Sequence, residues 1–334
     1  MTVQLFDRRA SIVVQPASFT GVGSKKKLSQ PWSSVPPYDG FDPMADLRVT
    51  FDVEKTIEPH PNRADIRVYN LTSSHRALIK KDDLVTLRAG YRGDEISELG
   101  PSELPIIFRG NVSRVFHRRL RTDWETKLSS GDGLSAIRNA FLNTLLPKGS
   151  TPKDVVKKIT EKLQELGVEV MSDFDGSVLR WITEQFRAAA SDPSAKGTGT
   201  GGDAAFKTAR AILGRASDKL TQELDKVGLD WSVQNNVLVV RPKGGHDAQL
   251  PILLTPDTGL IDAVTETENG IAGTSLIIAG MEPGRLVQVE SRTKSGEYVL
   301  TKTNARGDTE GNDWYFGWEA AVEGTKLEIS ASPV

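Results

Sequence analysis

Four histidines, His60, His75, His117 and His246, are the side chains of this sequence best suited to bind a metal or move a proton near neutral pH. Their spacing suits neither task. No two stand at helical ligand spacing and no His-Glu-x-x-His pattern occurs, so they read as solvent or loop histidines. Cysteine is absent, which removes disulfides, thiolate metal sites and thiol nucleophiles together. No Gly-x-Ser-x-Gly elbow is present. Gly197-Thr-Gly-Thr-Gly-Gly202 lacks the Gly-Lys-Ser/Thr ending of a phosphate loop and follows no clear strand, so it reads as a linker. Asp308, Glu310, Asn312 and Asp313 miss the ligand spacing of a calcium loop and read as an acidic hairpin tip. Arg-Gly-Asp occurs at Arg92 and at Arg306, each expected in a turn. A carboxylate pair for glycoside cleavage assembles in space and leaves no mark in spacing. The sequence therefore names no catalytic, cofactor or metal residue.

What remains is charge and exposed apolar surface. Lys25, Lys26 and Lys27 stand in a turn-rich stretch, Pro16 to Met44, which is long for a loop in a compact domain. Trp32, Val35, Pro36, Pro37 and Tyr38 follow in the same stretch, an aromatic and proline cluster better explained by burial against a partner than by solvent. Arg118, Arg119 and Arg121 form a second basic patch, read as part of a hairpin turn from His117 to Asp123. These ten residues (Lys25–27, Trp32, Pro36, Pro37, Tyr38, Arg118, Arg119, Arg121) are the candidate partner interface. Rim charges of this kind steer association with an acidic surface.

The elements that must carry these residues fall into three blocks. The 334 residues are 38% hydrophobic and 26% charged, enough apolar material for two or three folded domains. The net charge of −2 gives the chain no general affinity for nucleic acid. No apolar run is long enough to cross a membrane as a helix. The first residues lack a signal peptide's apolar centre, so folding in the cytoplasm is expected.

The first block, 1–135, is strand-rich. Leu47, Val49, Phe51 and Val53 alternate with Arg48, Thr50, Asp52 and Glu54, the pattern of a strand with one wet face. Ala64 to Val68 alternates likewise after Pro59-His-Pro-Asn62, giving a hairpin. Thr72 or Ser73 caps a short helical turn. Ala10–Gln15, Leu84–Tyr91, Ile106–Phe116 and Trp124–Ser130 complete the strands. The middle block, 136–245, changes period. Thr151-Pro152 starts a helix that Gly167 stops, and Val178–Phe186 is a second amphipathic segment. Phe206 to Val227 reads as one helix, with Ala209, Ile212, Leu213, Ala216, Leu220 and Leu224 on a stripe. Leu229–Val233 and Val237–Pro242 form a small hairpin around Gln234-Asn-Asn236. The last block, 246–334, is β again, with strands expected at Ser275–Gly280, Leu286–Ser291, Gly296–Lys302 and Trp314–Val322. Gly307-Asp308 is expected at a hairpin tip, and one of Trp314 and Tyr315 should enter the core. The fold class is mainly β with an α/β insertion.

Thr258-Gly-Leu-Ile261, Gly270-Ile-Ala-Gly-Thr-Ser-Leu276, Met281-Glu-Pro-Gly-Arg-Leu-Val-Gln-Val289, Gly296-Glu-Tyr-Val299 and Gly307 to Tyr315 occur in this order. With the hairpin and Asn70-Leu-Thr72 turn of the first block, the series resembles the two tube domains of phage tail baseplate hub proteins. The middle block is similar to the α/β insertion between them. The resemblance covers nearly the whole chain, and order and spacing carry it rather than any one motif. It implies two tail-tube-like β-barrel or sandwich domains flanking a small α/β domain. It further implies a homotrimer whose six tube-like domains form a ring between a hexameric tail tube and a trimeric central spike, lining a DNA conduit. Tail tube, central spike, baseplate wedge and tape measure proteins are the implied partners, with DNA only in transit and no enzyme activity. The implied place is the virion tail baseplate, assembled in the host cytoplasm. A soluble binding module or hydrolase, with its site between a β-domain and the α/β unit, is the alternative reading.

Overall fold

The computed structural model describes residues 8–16, 47–91, 104–170, 206–247 and 249–324. The candidate contact arm (Lys25–27, Trp32, Pro36, Pro37, Tyr38), the Val178–Phe186 segment, the 197–202 glycines and the Arg92 tripeptide lie outside them.

The first block gives β1 (Arg8–Gln15), β2 (Val49–Thr56), β3 (Arg63–Tyr69), helix α1 (Ser73–Leu78), β4 (Leu84–Tyr91), β5 (Ile106–Leu120) and β6 (Asp123–Gly131). The middle block gives α2 (Leu134–Asn139), β7 (Phe141–Leu146), α3 (Pro152–Glu165), β8 (Glu169–Val170), β9 (Arg210–Arg215), α4 (Ala216–Asp225), β10 (Leu229–Gln234) and β11 (Val237–Pro242). The last gives β12 (Ile252–Leu254), β13 (Thr265–Thr267), β14 (Gly270–Ser275), β15 (Leu286–Glu290), β16 (Ser295–Asp308) and β17 (Trp314–Ala321).

The alternating hairpin is β2 and β3, paired from Val49 opposite Val68 to Glu54 opposite Arg63. Its apolar residues alternate inward as expected, with two polar exceptions, Lys55 and Asp65, that are also buried. Thr72, not Ser73, caps α1 by accepting a hydrogen bond from the His75 amide. In α3 the Asp154 carboxylate accepts from the Thr151 N–H at 2.8 Å, and Gly167 at φ 92° ends the run. The β10–β11 turn is Asn235-Asn236, both at positive φ, the two-residue turn that matches strand twist.

Four expectations change. Phe206–Val227 is not one helix: residues 210–215 are strand β9, paired with β7, and only α4 is helical. Gly214 at φ 119° breaks the helical stripe, and strand β7, which the sequence reading did not assign, supplies the pairing that wins over helical period. Strand β14 stops at Ser275, so Leu276–Gly280 is not extended ladder. The basic stretch His117–Leu120 is the end of β5 rather than a turn; Arg121 at φ 55° and Thr122 alone turn the chain. Arg306-Gly307-Asp308 lies in β16, with the tip beyond it. Gly307 is required there because a Cβ would stand 2.2 Å from the Phe51 ring.

The blocks at either end share a plan. The order β1-β4-β5-β6-β3-β2 in the first is repeated as β12-β15-β16-β17-β14-β13 in the last. Leu84 faces Asn111 as Leu286 faces Val299, and Asn111 faces Gly131 as Val299 faces Ala321. One residue later each long strand bulges, between Val112 and Arg114 and between Leu300 and Lys302. The repeats differ in that β1 runs antiparallel to β4 whereas β12 runs parallel to β15, and α1 has no counterpart among the described residues. Beyond its bulge, β16 pairs antiparallel with β2 from Lys302 opposite Thr56 to Asp308 opposite Thr50. That joint makes one twelve-stranded sheet. The sheet curls so that residues of both repeats, among them Phe51, Ile66, Phe108, Val287, Leu300 and Trp314, share one buried cluster. The middle block has its own, built on Val156, Ile159, Leu220, Leu224, Trp231 and Leu238.

Candidate interaction surfaces

The joint between the repeats is fastened on its wet face by charge. Arg306 meets Asp52 at 3.3 Å, Lys302 meets Glu54 at 2.6 Å, and the Asn304 amide donates to Asp52 at 2.9 Å. Asp65 on β3 takes Arg63 at 2.7 Å, Lys127 at 3.4 Å and the Ser129 hydroxyl at 2.7 Å. Burial pushes the Asp65 carboxyl up, but these donors and cations prevail and hold it below the usual carboxylate range. The same groups line a depression of about 480 Å³, with Asp52, Glu54, Asp65 and Glu319 against Arg63, Lys302 and Arg306. The face is polar and self-paired, not basic.

At the opposite side of the joint the middle block is held by a buried polar clasp. The Asn62 side-chain amide donates to Asp132, to the Val233 carbonyl and to Gln234, and its oxygen accepts from the Thr56 amide. Asp132 also accepts from the Asn62 and Asn235 amides. The Lys55 ammonium, 3% exposed, donates to Asn235 and to Glu282, bringing all three blocks to one point. The Arg241 guanidinium donates to Ser232 and to the Ile57 carbonyl, and burial lowers it to about 10. Arg109 and Glu169 add an ion pair at 2.8 Å. None of these residues was singled out from the sequence. The available signals were Asp132 between two glycines and the Asn-Asn turn that presents Asn235.

Burial raises the Asp132 carboxyl to about 7, against the Asn62 side chain, the charge of Lys55 and the two amides. Between about pH 4 and about 7 the folded chain therefore holds a proton that the unfolded chain has released. This contribution is complete below the ordinary carboxylate pKa and is lost as pH rises through about 7. Asp247, raised by burial, adds the same sign, whereas the lowered carboxyls of Asp65 and Asp308 titrate below this window. The expected result is a denaturation midpoint that falls between about pH 5 and 8, with a flatter profile in Asp132→Asn.

The basic patch of the sequence reading sits on the β5–β6 hairpin beyond the bulge. Arg118 is engaged, pairing with Glu125 at 2.8 Å. Among the described residues Arg114, Arg119 and Arg121 hold no ion pair, and Phe116, Leu120 and Trp124 are exposed beside them. Arg76 lies over the Trp124 ring at 4.1 Å. From Ser113 onward β5 pairs with β6 alone among the described residues, which leave its other edge open. The other basic patch, Lys25–Lys27, lies outside the described residues.

The histidines do not converge. His60 is exposed near Glu58, His75 is in α1, His117 shares a hydrogen bond with Thr126 on the hairpin, and His246 lies by Glu323. Among the described residues no three His, Asp or Glu side chains are grouped to hold a metal. A cleft of about 470 Å³ between the Pro59–Pro61 loop and the middle block is lined by Ile137, Arg138, Asp218 and Trp231. It is the place the alternative reading requires. Among the described residues no helix is long and apolar enough to cross a membrane.

No family model matches the chain, and no curated protein does. Solved structures do. A tail protein from Neisseria meningitidis matches at TM-score 0.52 and 11% identity, covering 83% of this chain and 96% of that one. The 43 kDa tail protein of prophage MuSo2 from Shewanella oneidensis matches at 0.50 and 10%, covering 83% and 98%. A chain of the Francisella PdpA-VgrG complex, half-lidded, matches at 0.52 and 9%, covering 99% of this chain and 60% of that one. Identities this low carry the fold and not the activity. The fold is shared with these tail proteins.

Proposed function

We propose that this chain is a structural component of a phage-type tail, a hub of its baseplate. Three copies form a ring of six tube-like units that joins a hexameric tail tube to a trimeric central spike. Residues 1–135 and 246–334 supply the two units of each copy and 136–245 the insertion between them. The observation that carries this reading is the repeat: two units of the same strand order and the same bulge, set side by side in one sheet. A chain holding two alike units presents sixfold-like contacts to one neighbour and threefold contacts to another, which a symmetry mismatch requires. Tail proteins of the same fold support it. The role is non-enzymatic, and the tail tube, spike, wedge and tape measure proteins are the partners.

In this reading the self-paired wet face lines the bore. A conduit with many free Lys and Arg would release counterions onto DNA and retain it. With its cations held by Asp52, Glu54 and Asp65, the purified chain should not retard duplex DNA at about 0.15 M salt. Tight retardation there would contradict passive conduction. Sedimentation of the purified chain over a concentration series tests the ring: a trimer is expected, and a monomer throughout overturns it.

A further inference from the structure

Strands β7 and β9 form a two-stranded sheet of their own in the middle block. Their inner face, Leu142, Leu146 and Ile212, packs into the core of that block. Their outer face is apolar as well. Phe141, Leu145 and Leu213 are 57%, 67% and 58% exposed, and Ala211 is exposed opposite Leu145. Asn143 faces Leu213, which sets this leucine diagonal to both Phe141 and Leu145 and makes the three one patch. Strands that are apolar on both faces are those a fold covers on both. A two-stranded ribbon is also marginal until something packs on it. We infer that residues 178–186 of this same chain lie across the outer face of β7 and β9.

The ends of the intervening chain point to this occupant. The described chain stops at Val170 on β8 and resumes at Phe206. The Phe206 amide donates to the Ser150 carbonyl, and the Gly149 amide donates to the Phe206 carbonyl. The chain therefore returns beside the loop that follows β7, just before β9 begins at Arg210. At roughly 3.3 Å per extended residue, the link 171–177 is longer than β7 itself, so reach does not limit the contact. The sequence between these ends supplies a matching face. Val178, Leu179, Ile182 and Phe186 share one side at helical spacing, with Arg180, Thr183, Glu184 and Arg187 on the other. A tether at both ends holds the segment at an effective concentration on the order of millimolar, which a second copy or a separate partner must exceed. The contact lies within one chain and does not depend on the ring.

The chain contains no cysteine, so Leu145→Cys places a single thiol on the outer face. Its rate of maleimide labelling is compared with that of Leu250→Cys, at a position 82% exposed. Leu145→Cys should react about tenfold or more slowly at every protein concentration. Adding Ile182→Asp and Phe186→Asp should restore the fast rate, while Leu142→Cys, on the inner face, stays slow with and without them. A Leu145→Cys thiol that reacts as fast as Leu250→Cys means the face is open and overturns the inference. A slow thiol that the two aspartates leave slow means that another chain covers the face, and overturns it too. Hydrogen exchange tests the same contact without any substitution. In the full-length protein the amides of 178–186 should exchange about tenfold or more slowly than in an isolated peptide of the same sequence. Equal rates would overturn the contact even if the aspartate variant failed to fold.

Discussion

Asn62→Ala should lower the unfolding free energy by about 2–5 kcal/mol, because several buried groups lose their partner at about 1–3 kcal/mol each. The Asn62 amide answers Asp132, the Val233 carbonyl and Gln234 together, and its oxygen answers the Thr56 amide, all at 2.8–2.9 Å. Asn62 itself is 4% exposed, so water does not replace what is lost without opening the clasp. Asp132 then keeps only the Asn62 and Asn235 amides and the field of Lys55. The loss should also change how the chain opens. The two apolar clusters are separate and the clasp ties them, so limited proteolysis of Asn62→Ala should release the 136–245 block at denaturant levels that leave the sheet protected. A variant with unchanged midpoint and unchanged protection would mean the clasp is incidental.

Trp314→Ala should cost about 3–5 kcal/mol, the usual range for emptying a large aromatic site in a core. The ring is 3% exposed and stands edge-on to Phe51 at 5.5 Å and to Tyr91 at 6.4 Å, so it touches β2 and β4 from the far end of the chain. Tyr315 faces the other way, toward Arg306, and Tyr315→Ala should change stability far less. Denaturant midpoints of the two variants measure the contrast. Equal losses would mean that the core contact assigned to Trp314 is misplaced.

These two residues mark what could be read from the sequence. One of Trp314 and Tyr315 was expected in the core because a strand begins there and one of two adjacent rings must turn inward; the fold buries Trp314. Period-2 alternation similarly gave β2 and β3, since side chains alternate faces whatever the partner. Thr151-Pro152 and Gly167 bounded α3 because capping is local chemistry. The failures are non-local. Helical spacing over 206–227 was overridden by pairing with β7, and the basic stretch 117–120 continued as strand because β6 accompanies it to the tip. Asn62 was visible only as part of a Pro-His-Pro-Asn break. Apart from nearby Thr56, its partners Asp132, Val233 and Gln234 are about 70 to 170 residues away in sequence, and a hydrogen-bonded clasp leaves no period. The joint between β2 and β16 likewise pairs Asp52 with Arg306, which no local pattern links.

The central claim is that one chain carries two equivalent units that close a ring with copies of itself. Electron-microscopic imaging of the assembled full-length protein tests it most directly. The account predicts a threefold ring whose inner wall divides into six alike lobes around an open bore, with the 136–245 blocks as three separate projections. A closed globular monomer, or a ring whose lobes do not repeat within each chain, would contradict it.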